Sequence, residues 1–288
     1  MKTRLAVALM GLLAHLPLPL LRGLGWLLGR LLFVLAAPRR KVALRNLALC
    51  FPEVPEAQRR AWARATFVVF CQTFLDRSWL WAGSEALVRR RVKLVGAVHE
   101  LDGDTPTIVF APHFYSMDAG GLALPLNTAR EFTSIFATNP DPALDAWFMG
   151  GRQRFGNVRM LNRADGVKPI ISCLRKGGLL YLLPDMNFGP QESIFVKFFG
   201  QPAATVPSLS RFARLGRAQV VSTMTFMDPH GYTLHVEGPW KDFPTANVEA
   251  DTQRMNTHLE DWVRQRPAEY FWLHKRFKTR PPGMPPVY

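Results

Sequence analysis

From residue 92 onward the chain alternates between short apolar runs and longer segments of helical periodicity, and no other feature constrains its fold as strongly. Residues 92–95, 107–111, 132–137, 158–161, 179–183, 219–226 and 232–236 read as strands, each a brief run rich in branched or aromatic side chains. Between several of them lie helical segments at 118–127, 142–154, 166–176 and 207–215. An amphipathic helix over 251–266 follows and is stopped by Pro267. Strands alternating with helices predict an α/β fold, a mostly parallel or mixed central sheet flanked by helices on both faces.

The segment before this alternation has a different character. Leu5 to Leu21 carries no formal charge, and Gly23 to Ala37 carries only Arg30; Pro17 and Pro19 interrupt the run. No small-residue cleavage site closes it, so the expectation is a retained membrane anchor over residues 1–37, spanning once or lying as a broken helix in the interface. Arg39, Arg40, Lys41 and Arg45 follow, against Lys2 and Arg4 in front, which places the remaining domain, 38–288, on the cytoplasmic side by the positive-inside rule. Glu56–Ala82 reads as a long helix, with Trp62, Val69, Phe70, Phe74 and Trp81 recurring at helical spacing.

Lys and Arg number 36 against 22 Asp and Glu, a net charge of +14 that suits anionic partners. The positive charge is scattered along the chain and forms no nucleic-acid reader module, so no nucleic-acid partner is expected. Three cysteines without a CxxC pair suit reduced thiols facing a cytosol.

The candidate chemistry begins where the run at 107–111 stops at Pro112. His113 follows at once and Asp118 comes five positions later, at the start of a helix. On a continuous helix such residues would lie roughly 140° apart, so the two meet only across a strand-to-helix turn. The carboxyl end of a strand is where open α/β sheets place ligands. A carboxylate holding one imidazole nitrogen leaves the other free as a general base, a role that His113 with Asp118 can fill across such a turn; a structural or solvated histidine is the plain alternative. The chain has no GxSxG elbow, Walker loop, HExxH or clustered metal-ligand spacing, so no metal and no cofactor are expected.

Three stretches in order, His113-Phe-Tyr-Ser-Met-Asp118, Met160-Leu-Asn-Arg-Ala-Asp-Gly166 and Leu183-Pro-Asp-Met-Asn-Phe-Gly-Pro190, resemble the blocks of the lysophospholipid acyltransferase superfamily. The third continues through Ser193 to Thr205 and, with Arg45-Asn-Leu, Cys50-Phe-Pro-Glu53 and the closing Phe271-Trp-Leu-His-Lys-Arg-Phe-Lys-Thr-Arg-Pro-Pro282, is similar to the late acyltransferases of lipid A biosynthesis. One position departs from that pattern: Ser222 stands after Val220-Val221 where proline is expected.

The resemblance implies a glycerolipid-acyltransferase-like fold and an acyl-carrier-protein-dependent O-acyltransferase at the bacterial inner membrane, with its catalytic domain on the cytoplasmic side. The donor would be acyl carrier protein and the acceptor a hydroxyl on a Kdo-linked lipid A precursor, giving an acyloxyacyl group. His113 would take the hydroxyl proton and Asp118 would fix its tautomer. Arg163 would meet a phosphate or the developing oxyanion, with a surface pairing to Asp165 as the plain alternative. Asp185, Asn187, Phe188 and Gly189 complete the implied substrate site, with Asp185 orienting Arg163 or the local backbone and Gly189 permitting a close turn. A glycerophospholipid or ornithine-lipid acyltransferase with the same pair, and a non-catalytic basic membrane-surface protein, are the competing readings.

Overall fold

The computed structural model describes residues 2–288. Five helices come first: α1 (Lys2–Leu13), α2 (Leu18–Leu35), α3 (Ala37–Cys50), α4 (Glu56–Ala82) and α5 (Glu85–Arg91). The alternating part follows as β1 (Val92–Gly96), β2 (Thr107–Phe110), α6 (Met117–Leu126), β3 (Phe132–Phe136), α7 (Pro142–Arg152), β4 (Val158–Asn162), α8 (Lys168–Arg175) and β5 (Leu179–Leu182). It closes with β6 (Ile194–Phe198), β7 (Gln201–Thr205), α9 (Ser208–Gly216), β8 (Gln219–Asp228), β9 (Gly231–Glu237) and α10 (Val248–Gln265).

All seven expected strands form one sheet in the order β1-β9-β8-β2-β5-β3-β4. β8, β2, β5, β3 and β4 run parallel; the β8–β9 hairpin is antiparallel, and β1 pairs parallel to β9. Every residue of β2 and β5 is buried, as strands covered on both faces require. Alternation sends Ile108, Phe110, Leu180, Leu182 and Val220 to the face where Leu174, Leu209, Ala213 and Leu259 of α8, α9 and α10 pack. Val109, Tyr181, Val221 and Leu234 point the other way, onto Leu124 of α6.

One element departs from the expectation, and a second takes one of its two expected forms. The stretch that follows the third block is an antiparallel hairpin, β6–β7, whose two-residue loop is Phe199-Gly200 with both φ angles positive, 49° and 73°. The apolar amino terminus is two helices, broken at residues 14–17 where Pro17 cannot continue the first.

α2 is not a free rod. Its buried residues Leu21, Gly25, Gly29 and Phe33 recur every four positions and form one stripe, which lies on α4. A methyl on Gly25 would come within 2.8 Å of the Gln72 Cα, and one on Gly29 would collide with the Val68 backbone. Arg22 leaves this stripe to pair with the buried Asp76 of α4 at 2.9 Å, and its guanidinium also reaches the carbonyls of Asp228 and Gly231. Tyr232 donates its hydroxyl to the same Asp76 carboxylate at 2.6 Å. The apolar segment and the sheet are therefore bound through close backbone packing and a buried ion pair.

Gly29→Ala should lose at least about 1–3 kcal/mol through overpacking, lowering the melting temperature by about 2–4 °C per kcal/mol. Gly23, in the same helix, meets nothing within 4 Å, so Gly23→Ala should be neutral or stabilising by up to ~1 kcal/mol. Thermal denaturation of the two variants in detergent checks the pair, and similar melting temperatures would contradict this packing.

Candidate active site

β2 and β5 are neighbouring parallel strands with Phe110 opposite Leu182. Each runs one residue further and meets a proline, Pro112 and Pro184, which has no amide hydrogen for the ladder. His113 and Asp185 each lie three residues beyond that paired position, so equal strand ends set them side by side. The His113 Nδ1 is 2.7 Å from the Asp185 Oδ1, and the His113 amide donates to the same carboxylate at 3.1 and 3.2 Å.

Asp185 is fully buried. Burial works against its charge, but the His113 ring and amide, with the Arg276 guanidinium, outweigh that and hold the carboxyl below its ordinary range. Tyr270 donates its hydroxyl to Oδ2 at 3.1 Å, which satisfies the second oxygen. An ionised carboxylate can only accept, so the hydrogen of the neutral imidazole sits on Nδ1. The lone pair of Nε2 is then free, the arrangement a general base needs.

The expected His113–Asp118 pairing is not the one the structure contains. Asp118 sits in the first turn of α6, where its carboxylate faces α4 and α7 and is taken up by two guanidiniums. Arg77 Nε donates to Oδ2 at 2.8 Å and Arg152 Nε to Oδ1 at 3.0 Å. Burial would raise the Asp118 pKa, yet Arg152 and Arg77 together pull it down to about 2. Two cations share one carboxylate, leaving an excess of positive charge there. Asp185, in turn, does not orient Arg163; it holds the histidine.

Both His113 and Asp118 open on one cavity of about 510 Å³ at the carboxyl edge of the sheet. Phe132, Val158, Met160 and Gly121 line it on one side, and Ile135, Val167, Ile170, Leu182 and Phe212 on the other. Successive strand residues point to opposite faces, so a cavity touching Ser134 and Ile135, or Tyr181 and Leu182, reaches both faces across the strand ends. Arg152 is its inner cation. Arg163 is at the mouth, half-exposed, paired with Glu192 and stacked 4.1 Å over the Phe188 ring. Asp165 is not its partner: that carboxylate accepts from the Asn162 amide in a capping box.

Phe188 therefore joins the site, while Asn187 and Gly189 support it from outside. Asn187 donates its amide to His274 Nε2 and its side chain to the Arg276 carbonyl, and accepts from Thr279 and Gly189. Burial and then Arg276 lower the His274 pKa to about 4, so its ring is neutral and able to accept. Gly189 has a φ of 95°, which explains glycine there better than space does, since only the Gln191 side chain lies near. Ser222 accepts the indole hydrogen of Trp240 at 2.7 Å. Arg77, Arg152 and Tyr270 were not among the expected site residues, because each is brought to the site by tertiary packing.

The turn leading to Tyr270 carries a further buried acid, Glu269. Glu269 accepts the Met227 amide at 3.0 Å, its backbone carbonyl accepts the Tyr115 amide, and burial pushes its carboxyl from 4.5 up to about 7. A folded value above the unfolded one means that its contribution to stability is complete below pH 4.5 and lost as pH rises through 7. The loss is on the order of 3 kcal/mol. Glu269→Gln keeps an acceptor and should flatten this part of the stability–pH curve; parallel curves for wild type and variant in chemical denaturation would contradict it.

Residues 2–279 match the family described as bacterial lipid A biosynthesis acyltransferase. The chain is 33% identical over 270 residues to a lipid A biosynthesis myristoyltransferase of Escherichia coli, covering 92% of this chain and 82% of that protein. It is 30% identical over 298 residues to a lipid A biosynthesis lauroyltransferase of the same organism, covering 99% and 94%. A solved 1-acyl-sn-glycerophosphate acyltransferase of Thermotoga maritima aligns over 82% of this chain and 94% of its own, at 15% identity and a TM-score of 0.39. The chain belongs to the bacterial lipid A biosynthesis acyltransferase family.

Proposed function

We propose that the protein moves a fatty acyl chain from the thioester of acyl carrier protein to a hydroxyl of a Kdo-linked lipid A precursor. The observation that carries this reading is a histidine, held by a buried carboxylate, lining a largely apolar cavity with two arginines on its walls. His113 Nε2 takes the acceptor hydroxyl proton as the oxygen attacks the thioester carbonyl. Asp185 stabilises the imidazolium that forms, across the 2.7 Å contact. The tetrahedral oxyanion collapses, the carbon–sulfur bond breaks, and the imidazolium returns its proton to the departing thiolate. Arg152 offers positive charge where the oxyanion develops, and Arg163 meets an anionic group of either substrate at the mouth.

The chain would work at the cytoplasmic face of the bacterial inner membrane, with residues 1–37 as its membrane-binding part and 38–288 as its catalytic part. The acceptor is insoluble in water, and both the acceptor and the carrier protein are anionic, which suits a net charge of +14. The cavity holds the acyl chain out of water, and fixing thioester and hydroxyl together supplies the proximity advantage.

Cells lacking the protein should make lipid A with one fewer acyloxyacyl chain by mass spectrometry. Wild-type protein should restore it, while His113→Ala and Asp185→Asn should each reduce transfer by about 10²–10⁴-fold in a purified assay with acyl carrier protein as donor. Unchanged lipid A with altered glycerophospholipids would replace this reading with a glycerolipid one. Full transfer by His113→Ala would remove the catalytic role.

A further inference from the structure

α2 is 18 residues long and apolar enough to cross a membrane, about 27 Å against a hydrocarbon core of roughly 30 Å. Its length therefore permits a span, but its contacts oppose one. One face is closed by Gly25 and Gly29 against α4, too near for a lipid chain to enter. Arg22 stands in the same helix and is bound to Asp76, a carboxylate with no exposed surface, and to two carbonyls at the β8–β9 turn. For α2 to cross a bilayer it would have to carry α4 and that turn into hydrocarbon, or peel away and strand the Asp76 charge in the core.

The opposite face has no protein partner among the described residues. Leu20, Leu27, Leu31 and Val34 of α2 are 52–64% exposed, and Leu5 and Leu12 of α1 are 73% and 69% exposed. The charge carried by this segment is of one sign: the first acidic residue of the chain is Glu53, while Arg4, Arg30, Arg39, Lys41 and Arg45 are exposed before it; the acid that meets α1 from elsewhere, Asp141, accepts from the Thr3 hydroxyl. An apolar face flanked by this excess of cations complements an anionic lipid surface, and a second copy of the same cationic face would repel it.

We infer that α1 and α2 lie flat in the headgroup and upper acyl region of an anionic bilayer and do not cross it, so that the amino terminus and the catalytic sheet remain on the same side. This rests on the proposal that the protein acts at a membrane, and it decides between the two anchoring modes that the sequence leaves open. The acceptor would then approach the cavity from the leaflet that holds α1 and α2.

The test uses the full-length protein, whose three natural cysteines are buried. Arg4→Cys and Glu249→Cys, both at exposed positions, are labelled with a membrane-impermeant maleimide in sealed vesicles of each orientation. Labelling of both from the same side is expected; labelling from opposite sides would overturn the inference. In addition, binding to phosphatidylglycerol-containing vesicles should fall by about 5-fold at low salt for each of Lys41→Ser and Arg45→Ser, with binding to neutral vesicles weak throughout. Equal binding to neutral and anionic vesicles, or a lipid-free dimer that covers this face, would also overturn it. Same-side labelling with unchanged lipid A would sink the proposed enzymatic function alone, whereas opposite-side labelling with the expected lipid A defect would sink this inference alone.

Discussion

The site depends on the registry of two neighbouring parallel strands. β2 and β5 are paired residue by residue, both end at a proline, and both then deliver a polar residue at the same distance. The imidazole and its carboxylate are thus placed by the ladder, and rigid buried strands hold them more accurately than two loops could. The carboxyl-terminal segment reinforces the pair from behind. Tyr270 occupies the remaining oxygen of Asp185, and the Phe271 amide donates to the His113 carbonyl. Residues far apart in the chain therefore leave the histidine one orientation.

Two buried carboxylates beside one cavity have been given different partners. Asp185 faces an imidazole that can gain or lose a proton, whereas Asp118 faces two guanidiniums that cannot. The first arrangement joins a carboxylate to a group that can change its protonation. The second fixes three helices, α4, α6 and α7, around one wall and leaves a positive surplus there. The cavity is therefore largely apolar but carries positive charge on its wall. The same α4 carries Asp76, which takes up Arg22 of α2, so the helix that supports the site also binds the apolar amino terminus.

Much of the fold was legible in the sequence because periodicity is a local property. The runs at 107–111, 132–137 and 179–183 became β2, β3 and β5 within a residue at either end, and the aromatic spacing along Glu56–Ala82 returned that helix whole. The β6–β7 hairpin was not read because its turn begins with Phe199, an unusual residue for a left-handed conformation, and Gly200 alone is a weak signal. His113 was legible as the residue after a strand stop. Proximity in sequence points to Asp118 as its partner, whereas the structural partner lies seventy-two positions away. The usable signal was the repeat of apolar run, proline and polar residue at Phe110-Ala-Pro-His113 and Leu182-Leu-Pro-Asp185. It becomes meaningful only once the two runs are known to be neighbours. Arg152 and Arg77 carried no such mark, since each is an arginine on a helix until packing turns it inward.

Asp185, and not Asp118, fixes the ring orientation and tautomer of His113. Nitrogen-15 and proton NMR of the His113 imidazole reads this directly. The account predicts a protonated, strongly hydrogen-bonded Nδ1 in the wild type, still present in Asp118→Asn and lost in Asp185→Asn. Loss of that signal in Asp118→Asn with retention in Asp185→Asn would contradict it.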